Sequence, residues 1–475
     1  MKPSKLFIVL RHQFNIALAA LFACIAIPLS AETVEIDGLL YELTPSTKTA
    51  KITGYTNVPY VLVIQPTVNY SGADFKIIEI KDDAFLNCNS LESITIPATV
   101  TRIGYTRDWR EGDKRPFKGC SALKTVHFKD GEEQLKLGVY YDSSSGKGLF
   151  SDCPLEEVYL GRNIQYEDYS NYPFDKYPKY YGYSAFYNQT NLAKVTIGPG
   201  ATIITPYLFY MNKAISSLHL PKVDTICKSA FEGAHKLTIL TFGDALKSVG
   251  ESAFKDCDNI TNLSLPDATE TIADNAFYGC SSVTSINLGT GVKEVGAGSF
   301  AKCSALTAIR FPSCQTSLGE SAFEDCIKLT YVSLGGNLAA VGAKAFKNCV
   351  VLSEMVVPDN VTSIGDEAFY GCSGIAAMTL SAKLKTIGAR VFWNNSGLVS
   401  LSVPGTVESM GQNCFYGCTR LMYLTFEDGT TEMKISTSGS LSAQIPNQSS
   451  ADYQKCGYSY FYDSPIRVLY IGKDI

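Results

Sequence analysis

The segment NAFYGCSSVTSINLGTGVKEVG, residues 275–296, shows the unit from which the chain is built. Close variants stand at 321–342 (SAFEDCIKLTYVSLGGNLAAVG) and 367–388 (EAFYGCSGIAAMTLSAKLKTIG). A phenylalanine marks each unit, and eight successive intervals between these marks are 23 residues long. The marks are Phe85, Phe117, Phe150, Phe186, Phe209, Phe231, Phe254, Phe277, Phe300, Phe323, Phe346, Phe369, Phe392, Phe415 and Phe461. This regularity predicts a repeat architecture rather than several independent domains.

Each unit contains a short run in which apolar and polar residues alternate. In the quoted unit Ile286 and Leu288 alternate with polar neighbours before Gly289. Such alternation indicates a half-buried strand, and glycine or proline at the next position ends it. A second extended run, such as 361–364, leads into a column of glycines, for which we expect a positive φ. These glycines are Gly296, Gly319, Gly342, Gly365, Gly388 and Gly411.

The length of the unit limits what it can fold into. Twenty-three residues are too few for a strand and a long helix, and the units lack a sustained 3.6-residue apolar period. We therefore predict a solenoid of about fifteen coils, with parallel β ladders and little helix. One coil cannot bury its phenylalanine alone, so stacking of coils must create the core.

The three units quoted above resemble the leucine-rich repeats of BspA-like surface proteins, also called Treponema-type repeats. The resemblance runs from about Ile77 to the end of the sequence and implies the leucine-rich repeat fold of the α/β horseshoe superfamily, mainly β here. It further implies a secreted or surface-exposed bacterial protein that binds other proteins, with adhesion to host matrix proteins and cells as the associated role. Four residues depart from the family's usual cysteine, namely Gln189, Asn212, Ala234 and Asn395.

The sequence pattern divides the chain into three segments. Residues 1–31 have the basic start, apolar run and terminal Ala31 of a secretory signal peptide. Lipidation at Cys24 is a less favoured alternative, because bulky Phe22 interrupts the small-residue box that precedes it. Residues 32–76 resemble the β-rich cap that precedes such arrays. Residues 77–475 form the solenoid, and we expect loop insertions near 104–116, 128–147, 161–183 and 427–458.

Composition and charge exclude several classes of protein. The chain has 475 residues, of which 45% are hydrophobic and 18% charged, so it is neither disordered nor collagenous. Its net charge is −5, and loss of three basic leader residues makes the mature chain more acidic, which argues against a nucleic-acid partner. No stretch after the leader has the roughly 18 apolar residues of a membrane span. We expect a secreted or cell-surface location.

Most cysteines fall in one column, three residues after the marking phenylalanine. The column comprises Cys88, Cys120, Cys153, Cys257, Cys280, Cys303, Cys326, Cys349, Cys372 and Cys418. We interpret it as a buried position for a small, weakly polar side chain, because parallel Cβ vectors disfavour disulfides between coils. Cys227, Cys314, Cys414 and Cys456 lie outside the column and remain open to pairing. Neither C-x-x-C pairs nor clustered histidines suggest a metal site.

Motifs for catalysis are missing from the sequence. It contains no H-E-x-x-H, no G-x-S-x-G and no phosphate loop. We therefore expect neither an enzyme nor a cofactor.

Two regions supply candidate ligand-binding residues. On the outward side of the strands, β-propensity and solubility explain the row of hydroxyl side chains better than ligand binding does. If this face does bind, we expect Arg310 and Tyr331 to take part. In the insertions we single out aromatic residues, since binding surfaces favour tyrosine, while packing against the solenoid flank is the alternative. The aromatic candidates are Trp109, Tyr166, Tyr169, Tyr172, Tyr180 and Tyr181.

Three functions follow from these features. The resemblance favours an adhesin that binds extracellular or host matrix proteins. A glycan-binding module would use the same aromatic rings as stacking platforms, and a passive spacer would use none of them. The ligand and the mode of anchoring stay open. The segment SPIRVLYIGKDI at 464–475 repeats CPLEEVYLGRNI at 153–164 with no polar cap after it, which suggests a fragment or a covering molecule.

Overall fold

The computed structural model describes residues 32–105, 107–108, 112–141, 148–167, 184–435 and 463–472, and in these ranges it contains β-strands and no helix. In chain order the strands begin with β1 (Glu32–Ile36), β2 (Leu39–Thr44), β3 (Thr49–Tyr55), β4 (Val61–Val63), β5 (Thr67–Tyr70), β6 (Ala73–Ile80), β7 (Ser93–Ile96), β8 (Arg102–Ile103), β9 (Arg107–Asp108), β10 (Thr125–Phe128), β11 (Leu135–Leu137) and β12 (Tyr140–Tyr141). They continue with β13 (Glu157–Arg162), β14 (Ile164–Tyr166), β15 (Lys194–Gly200), β16 (Ile203–Ile204), β17 (Ser217–Leu220), β18 (Thr225–Ile226), β19 (Ile239–Phe242), β20 (Ser248–Val249), β21 (Asn262–Ser264), β22 (Thr271–Ile272), β23 (Ser285–Asn287) and β24 (Glu294–Val295). The last are β25 (Ala308–Arg310), β26 (Ser317–Leu318), β27 (Tyr331–Ser333), β28 (Ala340–Val341), β29 (Glu354–Val356), β30 (Ser363–Ile364), β31 (Ala377–Thr379), β32 (Thr386–Ile387), β33 (Ser400–Val403), β34 (Ser409–Met410), β35 (Tyr423–Phe426), β36 (Lys434–Ile435) and β37 (Val468–Ile471).

Two parallel ladders run along the solenoid. The first ladder starts with the pairing of β4 and β7. Within it, each residue pairs with the residue at the same position of the next coil, as Ala308 does with Tyr331. The second ladder consists of shorter strands such as β30 and β32. Each coil thus contributes one strand to each ladder. The predicted solenoid with parallel ladders and little helix is confirmed.

The phenylalanine turns form a third set of hydrogen bonds between coils. The backbone N–H of Phe323 donates to the carbonyl of Ala345 at 2.8 Å. Two residues on either side, the N–H groups of Ser321 and Asp325 donate to the next coil in the same way. Both have positive φ, 55° for Ser321 and 64° for Asp325. As a result, every second backbone N–H of the turn points along the solenoid axis toward the next coil.

The core is a continuous stack of the marking phenylalanines. From Phe85 to Phe415 each ring is at most 1% exposed and lies face to face with the next, with centroids 5.0 to 6.4 Å apart. At the start of the stack, Tyr55 of β3 lies on Phe85 at 6.2 Å. Leucine, isoleucine and valine from both ladders surround the rings.

The segment before the repeats forms an antiparallel cap that continues the second ladder. Strands β1, β2 and β3 pair antiparallel, and β5 pairs antiparallel with β6. Strand β3 then pairs parallel with β6, which pairs parallel with β8 of the first coil. The cap therefore joins the solenoid through shared hydrogen bonds rather than through a linker.

The expectation of a positive φ in the glycine column was wrong. None of Gly296, Gly319, Gly342, Gly365, Gly388 and Gly411 has a positive φ. The reason for glycine is the close approach of the preceding coil. A Cβ on Gly388 would lie 2.5 Å from the backbone nitrogen of Asp366, and one on Gly411 would lie 2.3 Å from that of Ala389. Any side chain would push neighbouring coils apart.

The cysteine column is buried and hydrogen-bonded. Nine of its thiols donate to the carbonyl of the preceding phenylalanine turn at 3.0 to 3.6 Å. Where cysteine is replaced, the amides of Gln189 and Asn212 make the equivalent bond, each at 2.8 Å. Asn395 is the exception, because both its amide nitrogen and its oxygen are buried without a partner.

Replacing Phe323 by alanine should lower the free energy of unfolding by about 3–5 kcal/mol, because a fully buried ring leaves a cavity. Phe323 has ring neighbours on both sides, at 5.4 and 5.6 Å. Chemical denaturation followed by circular dichroism measures the loss. A change below about 1 kcal/mol would contradict the role of the stack.

Replacing Asn395 by cysteine should stabilise the protein by about 1–3 kcal/mol, because it removes two buried polar atoms that lack partners. The matched control is Asn212→Cys, which leaves the backbone N–H of Gln189 without its acceptor, Asn212 Oδ1 at 2.8 Å, and should destabilise. The two substitutions are chemically identical but should shift the unfolding midpoint in opposite directions. Shifts of the same sign would refute this account of the column.

Candidate functional site

The outer face of the first ladder brings two of the predicted residues together. Arg310 at the end of β25 and Tyr331 at the start of β27 lie on adjacent strands. The guanidinium carbon of Arg310 lies 4.7 Å from the ring centroid of Tyr331, and its Nη1 donates to the phenolic oxygen at 3.3 Å. Arg310 is exposed and Tyr331 half-buried. The contact orients both side chains on the surface before any partner arrives.

Apolar side chains continue this outer face toward the C-terminal coils. Val356 of β29 is 62% exposed and Tyr423 of β35 is 49% exposed. Between them lie small or hydroxyl side chains, including Thr379 and Ser402. We call the outer side of β25 to β35 the ladder face. It carries few charged side chains.

The insertions all leave the coil at one corner, directly after the second-ladder strand. The first follows β8. The expected starts of the other three were wrong, because β11, β14 and β36 complete the second ladder inside the ranges 128–147, 161–183 and 427–458. The alternating pattern of these strands is too short to separate them from the insertions by sequence.

Tyr166 must be removed from the candidate residues for the same reason. It ends β14, pairs with Leu137 of β11 and is only 2% exposed. Burial raises the pKa of its hydroxyl above the usual range. A partner could reach this ring only if the coil opened. Trp109, Tyr169, Tyr172, Tyr180 and Tyr181 lie outside the described residues.

Two arginines hold the bases of the insertions. Buried Arg115 binds Asp113 and Asp152 through its guanidinium at 2.8 Å each, and so joins the first insertion to the following coil. Arg102 of β8 forms an ion pair with Glu167, the residue after β14. The inserted strands β9 and β12 also pair parallel with each other. The base of each insertion is therefore fixed to a neighbouring coil or to the next insertion.

A column of aromatic residues on the flank was missed from the sequence. Its members stand one residue after the marking phenylalanine. In it the ring of Tyr187 stacks on that of Tyr210, with centroids 5.8 Å apart. Further along, Trp393 lies between Tyr370 and Tyr416, at 6.0 and 4.2 Å. These rings face each other along the axis and expose their edges. The repeat spacing contains the signal, since all five occupy the same position of the unit.

The described ranges hold neither a candidate metal cluster nor a candidate membrane helix. They hold no group of three or more histidine, cysteine or acidic residues that could bind a metal ion. The same ranges contain no helix that is long and apolar enough to span a membrane. The thirteen cysteines of the described part are free thiols, including Cys227, Cys314 and Cys414.

Stacked coils, two parallel ladders and a consensus unit define a leucine-rich repeat solenoid. The chain belongs to the BspA-type leucine-rich repeat family, whose six-copy model matches residues 78–210, 146–261, 247–375 and 339–466. No curated protein matches the chain.

Solved structures of bacterial leucine-rich repeat proteins are similar to the chain. One from Bacteroides ovatus is 21% identical with a TM-score of 0.48, covering 85% of this chain and 90% of that one. A leucine-rich cell surface protein from Faecalibacterium prausnitzii is 20% identical, with coverages of 87% and 96% and a TM-score of 0.32. The pneumococcal vaccine antigen PcpA is 16% identical, with coverages of 86% and 100% and a TM-score of 0.33.

The column cysteines should resist alkylation in the folded protein. Burial raises the pKa of Cys372 to about 12, and its thiol already donates to Phe346. Half-buried Cys314 should react first with iodoacetamide at pH 8, as read by peptide mass spectrometry. The column should become labelled only in denaturant. Equal labelling of Cys314 and Cys372 under native conditions would contradict the burial described here.

Proposed function

We propose that this protein is an exported interaction scaffold that binds other proteins through its ladder face, as an adhesin does. The observation that carries the proposal is the contact between Arg310 and Tyr331, which fixes an arginine and a tyrosine on the outer face of the sheet. Arginine and tyrosine are the residues that most often dominate protein interfaces. A contact made in advance also reduces the side-chain entropy lost on binding.

Two further features support this function. The leader at 1–31 supports export, and membership of the BspA-type family supports a surface role. Exposed Val356 and Tyr423 give the face apolar area that a partner could cover. A binding role rather than a catalytic one accords with the lack of catalytic motifs in the sequence.

The direct test measures binding of the mature chain, residues 32–475, to immobilised collagen, fibronectin and laminin by surface plasmon resonance. The double variant Arg310→Ala, Tyr331→Ala should bind at least about tenfold more weakly, the loss expected from removing a central anchor pair. The matched control is Lys385→Ala, which removes an exposed ion pair with Glu408 and should bind like the parent. Unfolding midpoints verify that both variants fold.

The contribution of the tyrosine-rich insertion is tested separately. Deleting 168–183 spares β14, whereas a deletion beginning at 165 would remove buried Tyr166. If the insertion carries part of the site, this deletion should weaken binding, and deletion of 436–458 should not. Binding by none of the forms would refute the adhesin and favour a passive spacer.

A further inference from the structure

A polar cleft of about 490 Å³ opens on the flank of the solenoid, away from the ladder face. It lies beside the coil marked by Phe150, and nothing in the repeat consensus predicts it. Its lining includes Ser121, Asp152, Pro154, Tyr187, Asn188 and Asn191.

The cleft exists because one corner is a residue shorter than its neighbours. The corner at 153–155 reads C-P-L, whereas the preceding corner at 120–123 reads C-S-A-L and the following one at 189–192 reads Q-T-N-L. In the short corner the N–H of Leu155 donates to the carbonyl of Cys153 at 2.9 Å, two residues back. In the longer corners the equivalent bond reaches three residues back, at 3.1 and 3.2 Å. The short corner is therefore recessed between two full ones.

One aromatic ring has an open face toward this recess. Tyr187 stacks on Tyr210 with its C-terminal face. The preceding coil carries Ser151 at the same position, and the coils adjoin there because Phe150 and Phe186 stack at 5.2 Å. Serine is too small to cover a phenol ring. The other face of Tyr187 thus forms one side of the cleft, and the ring is half-buried.

Polar side chains surround that ring. Asp152 is held by Arg115, whose Nη2 donates to Oδ2 at 2.8 Å, and Oδ1 of the same carboxylate has no partner among the described residues. In the described structure the side-chain amides of exposed Asn188 and Asn191 are likewise without a hydrogen-bond partner. The lining contains one carboxylate and no basic side chain. A carboxylate oxygen and two side-chain amides thus line the same cleft as this ring.

We propose that this cleft binds a neutral saccharide. The face of Tyr187 can stack on the C–H face of a sugar ring, while the carboxylate and the two amides can accept from and donate to its hydroxyls. In small-ligand sites a few placed polar groups fix the orientation of the ligand. The single carboxylate disfavours sialylated or sulfated sugars by charge repulsion. A peptide anchor would need an apolar pocket, which the ring and Pro154 alone do not provide.

The test applies an array of neutral and anionic oligosaccharides to residues 32–475, followed by calorimetric titration of the strongest neutral hit. Tyr187→Ala should weaken that binding at least about tenfold, equivalent to the loss of one good contact. The matched control is Tyr278→Ala, at the same position of another coil, which is half-buried and does not line this cleft. It should bind like the parent.

A second variant fills the cleft without touching the tyrosine. Replacing Pro154 by a Ser-Ala pair copies the corner at 120–123, and should abolish saccharide binding while the unfolding midpoint is unchanged. The proposal is overturned if the array shows no neutral hit, if only anionic sugars bind, or if the filled variant binds like the parent. Protein binding measured on the same variants separates the two sites, because it should depend on Arg310 and Tyr331 and not on Tyr187.

Discussion

The stack of phenylalanine rings is the constraint on which the rest of this molecule depends. Rings in offset contact prefer centroids about 4.5–7 Å apart, and neighbouring strands lie about 4.8 Å apart. The observed ring spacing of 5.0 to 6.4 Å lies within the range for offset rings, and its lower end is close to the strand spacing. One translation along the axis therefore suits the core and the ladders, which is why every coil must place its phenylalanine at the same point. The cysteine column, the amides that replace cysteine at Gln189 and Asn212, and the glycine column occupy positions whose size is set by this translation.

Sequence reasoning reached the architecture because its signals are local and repeated. The alternation around Ile286 indicates a strand, and the interval between phenylalanines gives the coil length. The third set of hydrogen bonds was not predictable in the same way. Ser321 and Asp325 have positive φ without being glycine, and of the two only aspartate is a residue type that favours this conformation. The glycine column misled for the opposite reason, because steric contact between coils, not local backbone conformation, requires Gly388.

The same distinction between local signals and contacts between coils applies to the candidate sites. Arg310 and Tyr331 could be found from sequence, since alternation alone decides which strand residues face outward. The burial of Tyr166 could not, because a three-residue strand beside a tyrosine-rich insertion has no boundary in the sequence. The polar cleft depends on a single missing residue at 153–155, whose effect requires knowing which corners are stacked against it. Contacts between coils, unlike contacts within a coil, are invisible in any one repeat.

That every insertion leaves at one corner has a consequence for engineering. Natural segments of very different length follow β8, β14 and β36, and the first ladder pairs across all three. The same corner is available in regular coils, for example after Ile364 and Ile387. Foreign peptides grafted there would be displayed in a row with steps of about 5 Å, one per coil. The scaffold could thus present chosen sequences as an ordered multivalent array, with the number of copies set by the number of coils used.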